Sequence, residues 1–212
     1  GLKYYFKGGS LKWFFVRYAD EDFHLRVRFL TTQTIFFARV IREVNLLLSD
    51  YLENGLIHNV VIDTYKRELE RYKFDCIESC ESLFSVDSFT VVELLEDNDS
   101  EDKRWLYGVV GVAAYLNDFG FKLNEKVEIL EFISTQFFQE FKGNKKLKLE
   151  LDKKYRSVRT SLIDCLGGDH NEEYSQLINI FKNRSRLNKT AVNALVNKLK
   201  NNTSISDLID VV

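Results

Sequence analysis

The sequence predicts an α+β fold, with an antiparallel sheet that carries the charged motifs, helices that back it, and a helical C-terminal half. Three observations carry this reading. Two runs rich in aromatic and β-branched residues, "LKWFFVRY" and "FHLRVRFL", flank the turn-forming "ADED" near the start. The second run alternates apolar and charged residues. After Tyr72 the apolar residues recur at three and four, the period of a helix.

The elements follow in order. "LKYYFK" alternates and is aromatic, so it reads as a strand, and "GGS" reads as a turn. The next two runs form a hairpin. In the second of them, a period of two sends Phe23, Leu25, Val27 and Phe29 to one face and His24, Arg26 and Arg28 to the other. "TTQTIFFARVIREVNLLLSDYLENG" is helical, with Thr31 or Thr32 to cap it and Gly55 to close it. "LIHNVVIDTY" reads as a strand and "KRELERY" as a polar segment. "FDCIESCESLFSVDSFTVVELLE" reads as two helices with Ser88 as the N-cap of the second. An acidic stretch, "DNDSEDKRW", precedes five amphipathic helical segments: "WLYGVVGVAAYLNDFG", "NEKVEILEFISTQFFQEFKG", "KKLKLELDKKYRSVRTSLIDCLGG", "NEEYSQLINIFKNRS" and "NKTAVNALVNKLKNN". The 212 residues suit a single domain, 1–212.

Composition narrows the function classes. A formal net charge of −2 argues against a general nucleic-acid binder, which would carry a basic surplus. Cys76 and Cys80 share a helix face, but no second Cys or His cluster stands near them to complete a zinc site. No metal and no cofactor is expected. There is neither a Gly-rich phosphate loop nor a nucleophile elbow. No apolar run is long enough to span a bilayer and no signal peptide is evident, so the expected location is cytoplasmic.

Two clusters of residues could carry chemistry. Arg17, His24, Arg26 and Arg28 form a compact cationic surface on the hairpin. Guanidinium groups match carboxylates with two parallel hydrogen bonds, so such a surface suits an anionic substrate. Read blandly, it is a solvated strand face. The second cluster is "DTYKRELERY", in which Glu68 and Arg71 lie three apart, as in an exposed helical turn laced by ion pairs.

Taken together, "WFFVRYADEDFHLRVRF", "IDTYKRELERY" and "ESLFSVDSFTVVELL" resemble three successive motifs of one family. It is the C-terminal glutamate-elimination domain of class I lanthipeptide dehydratases of the nisin-dehydratase type, which also occurs as stand-alone thiopeptide-type bacteriocin biosynthesis proteins. The match runs through Arg17, Tyr18, His24, Leu25, Arg26, Arg28, Thr64, Tyr65, Glu68, Arg71, Tyr72, Leu83, Phe84, Asp87 and Ser88. The Gly-Gly that often follows the family's Arg-Tyr is here Lys73-Phe74.

The resemblance implies a role in maturing ribosomally made peptides. Glutamate would be eliminated from glutamylated Ser or Thr to leave dehydroalanine or dehydrobutyrine. It implies that Arg28 and Arg71 are catalytic and that Arg26 and Glu68 belong to the same site; Glu68 is expected among the catalytic residues, and Arg26, Arg17, His24 and Arg184 are expected to contact substrate. β-Elimination builds negative charge on a carbonyl oxygen and then on the departing carboxylate, and aimed arginines stabilise both. Glu68 could orient an arginine or act as base. The family's C-terminal His-x-His-x-Asn-Arg pattern is matched only at its end. Asn183 and Arg184 are kept, while Asn179 and Phe181 stand at the histidine positions. His24 and His170 are the other candidate bases, and His58 completes the three histidines.

The expected partners are a glutamylated precursor peptide and a separate glutamylating dehydratase subunit, or a second copy in a homodimer, with no direct nucleic-acid contact. Two alternatives stand beside elimination. One is a pyridine-forming cyclase of the thiopeptide type. The other is a non-catalytic subunit that binds the peptide or the dehydratase.

Overall fold

The computed structural model describes residues 12–19, 22–31, 33–97, 103–167 and 172–199. The "LKYYFK" strand, the "GGS" turn and His170 lie outside these residues. The fold is α+β: a two-stranded antiparallel sheet followed by helices. The chain divides into two compact units, Gly1–Leu69 and Glu70–Val212.

The first unit holds the hairpin. Strands β1 (Lys12–Tyr18) and β2 (His24–Leu30) pair antiparallel, from Lys12 opposite Leu30 to Tyr18 opposite His24. Helix α1 (Thr34–Glu53) follows and ends at Gly55, whose φ of 67° is the left-handed conformation glycine favours. Its N-cap position is Gln33 and not Thr31, while Thr32 lies outside the described residues. No residue of α1 is buried.

The expected strand over "LIHNVVIDTY" is not formed. Residues 56–68 are irregular. A strand needs a neighbour for its N–H and C=O groups, and among the described residues β1 and β2 pair only with each other.

The short helix α2 (Leu69–Tyr72) covers part of "KRELERY". In the second unit, α3 (Ile77–Asp97) is one continuous helix, so Ser88 lies inside it and not at a boundary. Its hydroxyl groups do not break it because they bond to carbonyls one turn back. Ser82 donates to Glu78 O at 2.7 Å and Thr90 to Val86 O at 2.9 Å.

Helices α4 (Arg104–Asp118), α5 (Leu123–Glu140) and α6 (Lys145–Leu166) match the expected segments. Asn144 caps α6 by accepting from Leu147 N at 3.0 Å. The last two expected segments merge into one helix, α7 (Ser175–Leu199), which packs along α3 and α4.

The core of this unit has two parts. Leu94, Leu106, Val110, Leu177, Ile180 and Phe181 belong to one. Cys76, Cys80, Leu83, Phe119, Val192 and Leu195 form the other. The paired cysteines are therefore core residues. Burial pushes the Cys80 thiol up to about 12, with Cys76 adding to the shift.

Candidate functional site

The hairpin register decides which side chains share a face. Opposed residues point to the same side of a sheet. Arg28 lies opposite Phe14, Arg26 opposite Val16, and His24 opposite Tyr18. Arg17 lies opposite Leu25, so it stands on the other face, away from His24, Arg26 and Arg28. The cationic face therefore also carries aromatic residues of β1.

Those aromatic residues hold the arginines. The Arg28 Cζ lies 4.7 Å from the Tyr65 ring centroid and 5.5 Å from that of Phe14. The Phe14 and Tyr65 rings meet edge to face at 5.7 Å. Phe14 is buried and Tyr65 half-buried, so the guanidinium is gripped by two fixed π-faces. Its Nη1 is buried and has no hydrogen-bond partner among the described residues. A buried N–H of a charged group without an acceptor is costly, and an incoming anion would satisfy it.

Arg26 is held differently. Its Cζ lies 3.9 Å from the Tyr18 ring centroid, and its Nε donates to His24 Nε2 at 3.0 Å. The His24 ring stacks on Tyr18, with centroids 5.5 Å apart and planes 10° from parallel. His24 Nδ1 lies 2.9 Å from Asp22 O.

The other expected residues are spread over both units. Glu68 is exposed and ends the irregular segment that carries Tyr65. Arg71 lies in α2 with its Cζ 5.2 Å from the Tyr72 ring, and Tyr72 meets Phe84 edge to face at 5.3 Å. Lys73, which follows, has a φ of 59° and accepts from the N–H groups of Cys76 and Ile77. This is the left-handed turn for which the family's glycine is suited.

Arg184 is only 2 % exposed and belongs to the helical core. Its Nη1 bonds to Asp87 Oδ1 at 3.0 Å and its Nη2 to Gly111 O at 2.7 Å. The rings of Tyr115 and Phe181 cover it at 4.1 and 4.8 Å. Burial raises the Asp87 carboxyl above its ordinary value, and Arg184 opposes that rise. This arginine ties α3, α4 and α7 together, and its buried Nε has no hydrogen-bond partner among the described residues. Phe181, at one histidine position of the family pattern, packs in the same core, while Asn179 at the other is exposed.

The aromatic grips of Phe14, Tyr18 and Tyr65 were not singled out by sequence reasoning. Tyr18 and Tyr65 stood inside the matched motifs, which was the available signal.

The family model described as "Lantibiotic biosynthesis dehydratase C-term" matches residues 4–212. The chain belongs to this family. Among lantibiotic dehydratase C-terminal relatives, the subtilin biosynthesis protein SpaB of Bacillus subtilis is 31% identical over 144 residues, covering 65% of this chain and 14% of SpaB. The crystal structure of the tRNA-dependent lantibiotic dehydratase MibB from Microbispora sp. 107891 is similar in fold. It has a TM-score of 0.68 at 20% identity, over 96% of this chain and 22% of MibB. The lantibiotic dehydratase C-terminal chain thus corresponds to a minor part of both relatives. Among its described residues, no helix is long and apolar enough to cross a membrane.

Proposed function

We propose that this lantibiotic dehydratase C-terminal chain acts in the maturation of ribosomally made peptides by eliminating glutamate from glutamylated Ser or Thr. The observation that carries the reading is Arg28: a guanidinium held between two aromatic rings, with a buried Nη1 that has no acceptor among the described residues. Such a donor suits an anion that is absent before substrate binds and develops as the reaction proceeds.

In the proposed step a base removes the Cα proton of the modified residue. The electron pair forms the Cα=Cβ bond, the Cβ–O bond breaks, and glutamate leaves as a carboxylate. Arg28 stabilises the developing negative charge. Arg71 is the second proposed donor, Arg26 a substrate contact, and Glu68 the proposed base or orienting group. The assignments of Arg71 and Glu68 rest on the family motif.

The proposed partners are a glutamylated precursor peptide and a separate glutamylating subunit, with residues 1–212 acting as one elimination domain. Three free, buried cysteines suit a reducing, cytoplasmic setting. A second reading, a non-catalytic peptide-binding subunit, is favoured by Asn179 and Phe181, neither of which can move a proton where the family pattern has histidine.

The test is direct. A purified peptide carrying glutamyl-Ser is incubated with the chain, and mass spectrometry follows loss of glutamate. Elimination by the wild type that disappears in Arg28→Gln supports the reading. Peptide that binds but keeps its glutamyl groups favours the binding subunit.

A further inference from the structure

We propose that His24 is a positioning residue that fixes Arg26, and that it does so as the neutral tautomer protonated on Nδ1. The inference rests on the reading of this face as an anion-handling site, but its geometry stands by itself.

The tautomer follows from the two partners. A backbone carbonyl can only accept, so the 2.9 Å contact to Asp22 O requires a proton on Nδ1. An arginine Nε–H can only donate, so the 3.0 Å contact from Arg26 requires a lone pair on Nε2. Only the neutral ring with its proton on Nδ1 meets both demands.

Stacking supplies the third restraint. Tyr18 lies flat against the His24 ring and under the Arg26 guanidinium, so one phenol anchors both neighbours. Arg26 is i+2 from His24 on β2, and Tyr18 lies directly across the hairpin from His24. The bond to His24 and the cover of Tyr18 fix the plane of the Arg26 guanidinium, and with it the direction of its parallel Nη donors, which match a carboxylate. His24 thereby acts on substrate through Arg26. With its only lone pair given to Arg26, it is not the base.

The test uses the full chain and two isosteric variants. Gln at this position can place an acceptor where Nε2 stands, whereas Asn can reproduce only the Nδ1 contact. Nitrogen-detected imidazole spectra of ¹⁵N-labelled wild type should report His24 protonated on Nδ1. Exchange of the Arg26 Nε–H with solvent should be about fivefold faster in His24→Asn and near the wild-type rate in His24→Gln, the loss of one net hydrogen bond. In turnover assays with the glutamylated peptide, H24N should raise KM with kcat little changed, and H24Q should restore KM.

A ring protonated on Nε2, or equal exchange in both variants, overturns the proposal. Equal loss of kcat in H24N and H24Q also overturns it, because that is the behaviour of a base. If the wild type eliminates no glutamate, the functional reading fails, and the spectra and exchange rates still decide the role of His24.

Discussion

The Arg28 guanidinium carbon sits 4.7 Å from the centre of the Tyr65 ring. The contact joins β2 to the irregular segment that replaces an expected strand. An ion pair would have used up the donor. The aromatic grip fixes the cation, and among the described residues Nη1 has no acceptor.

Tyr65→Leu should therefore weaken Arg28 function. Losing a desolvated cation–π contact of about 1–2 kcal/mol corresponds to roughly a tenfold fall in elimination rate. Tyr65→Phe keeps the π-face and should stay near wild type. Kinetics with the glutamylated peptide would check both. Equal loss in both variants would point to the hydroxyl and not the ring.

Arg28→Lys should not rescue the reaction. An ammonium lacks the planar pair of donors and sits poorly between two rings. A fall of about 10²–10³ in kcat is expected for loss of a donor aimed at developing charge. Circular dichroism should be unchanged, which separates chemistry from folding.

Arg184→Met should act on stability. It leaves Gly111 O and Asp87 without their partner. Asp87 is partly exposed, so water recovers some of the loss, and about 2 kcal/mol is expected. The urea midpoint should fall accordingly. A midpoint unchanged from wild type would contradict the structural role.

Asp87 adds a pH dependence. Burial raises its folded pKa above the ordinary 3.8. A carboxyl that holds its proton more tightly when folded stabilises the fold at low pH. That contribution is lost as pH rises from the ordinary value through the raised one. The stability difference between wild type and Asp87→Asn, measured by urea titration, should become less favourable to wild type across that acidic window. In an Arg184→Met background the lowering effect of Arg184 is gone, so the window should extend to higher pH. A wild type that gains on D87N as pH climbs there would reverse the sign.

Lys73→Gly should stabilise. Lys73 adopts a φ of 59°, where a Cβ is strained. Relief of that strain exceeds the entropy glycine adds to the unfolded chain, for a net gain of up to ~1 kcal/mol. Thermal melts would show it as a raised Tm.

By itself the sequence determined the hairpin, the α+β class and the helical C-terminal half, because periods of two and of three to four are local properties of the chain. It also determined the family, through three motifs in order. Boundaries were less legible. Ser88 looked like a helix start, and the last two helical segments looked separate, yet α3 and α7 run through these points, since packing between long helices outweighs the local preference of a polar residue. The strand at residues 56–65 failed for want of a partner ladder.

Only the tertiary structure separated the arginines, which are one residue type with one charge. Pairing register turned Arg17 away from Arg26 and Arg28. Helix packing buried Arg184 against Asp87 and Gly111, while Phe14 and Tyr65 hold Arg28 in the hairpin unit, and each guanidinium keeps one buried N–H without a partner among the described residues. What a guanidinium can do depends on which acceptors lie within its reach, and those acceptors come from residues distant in the chain.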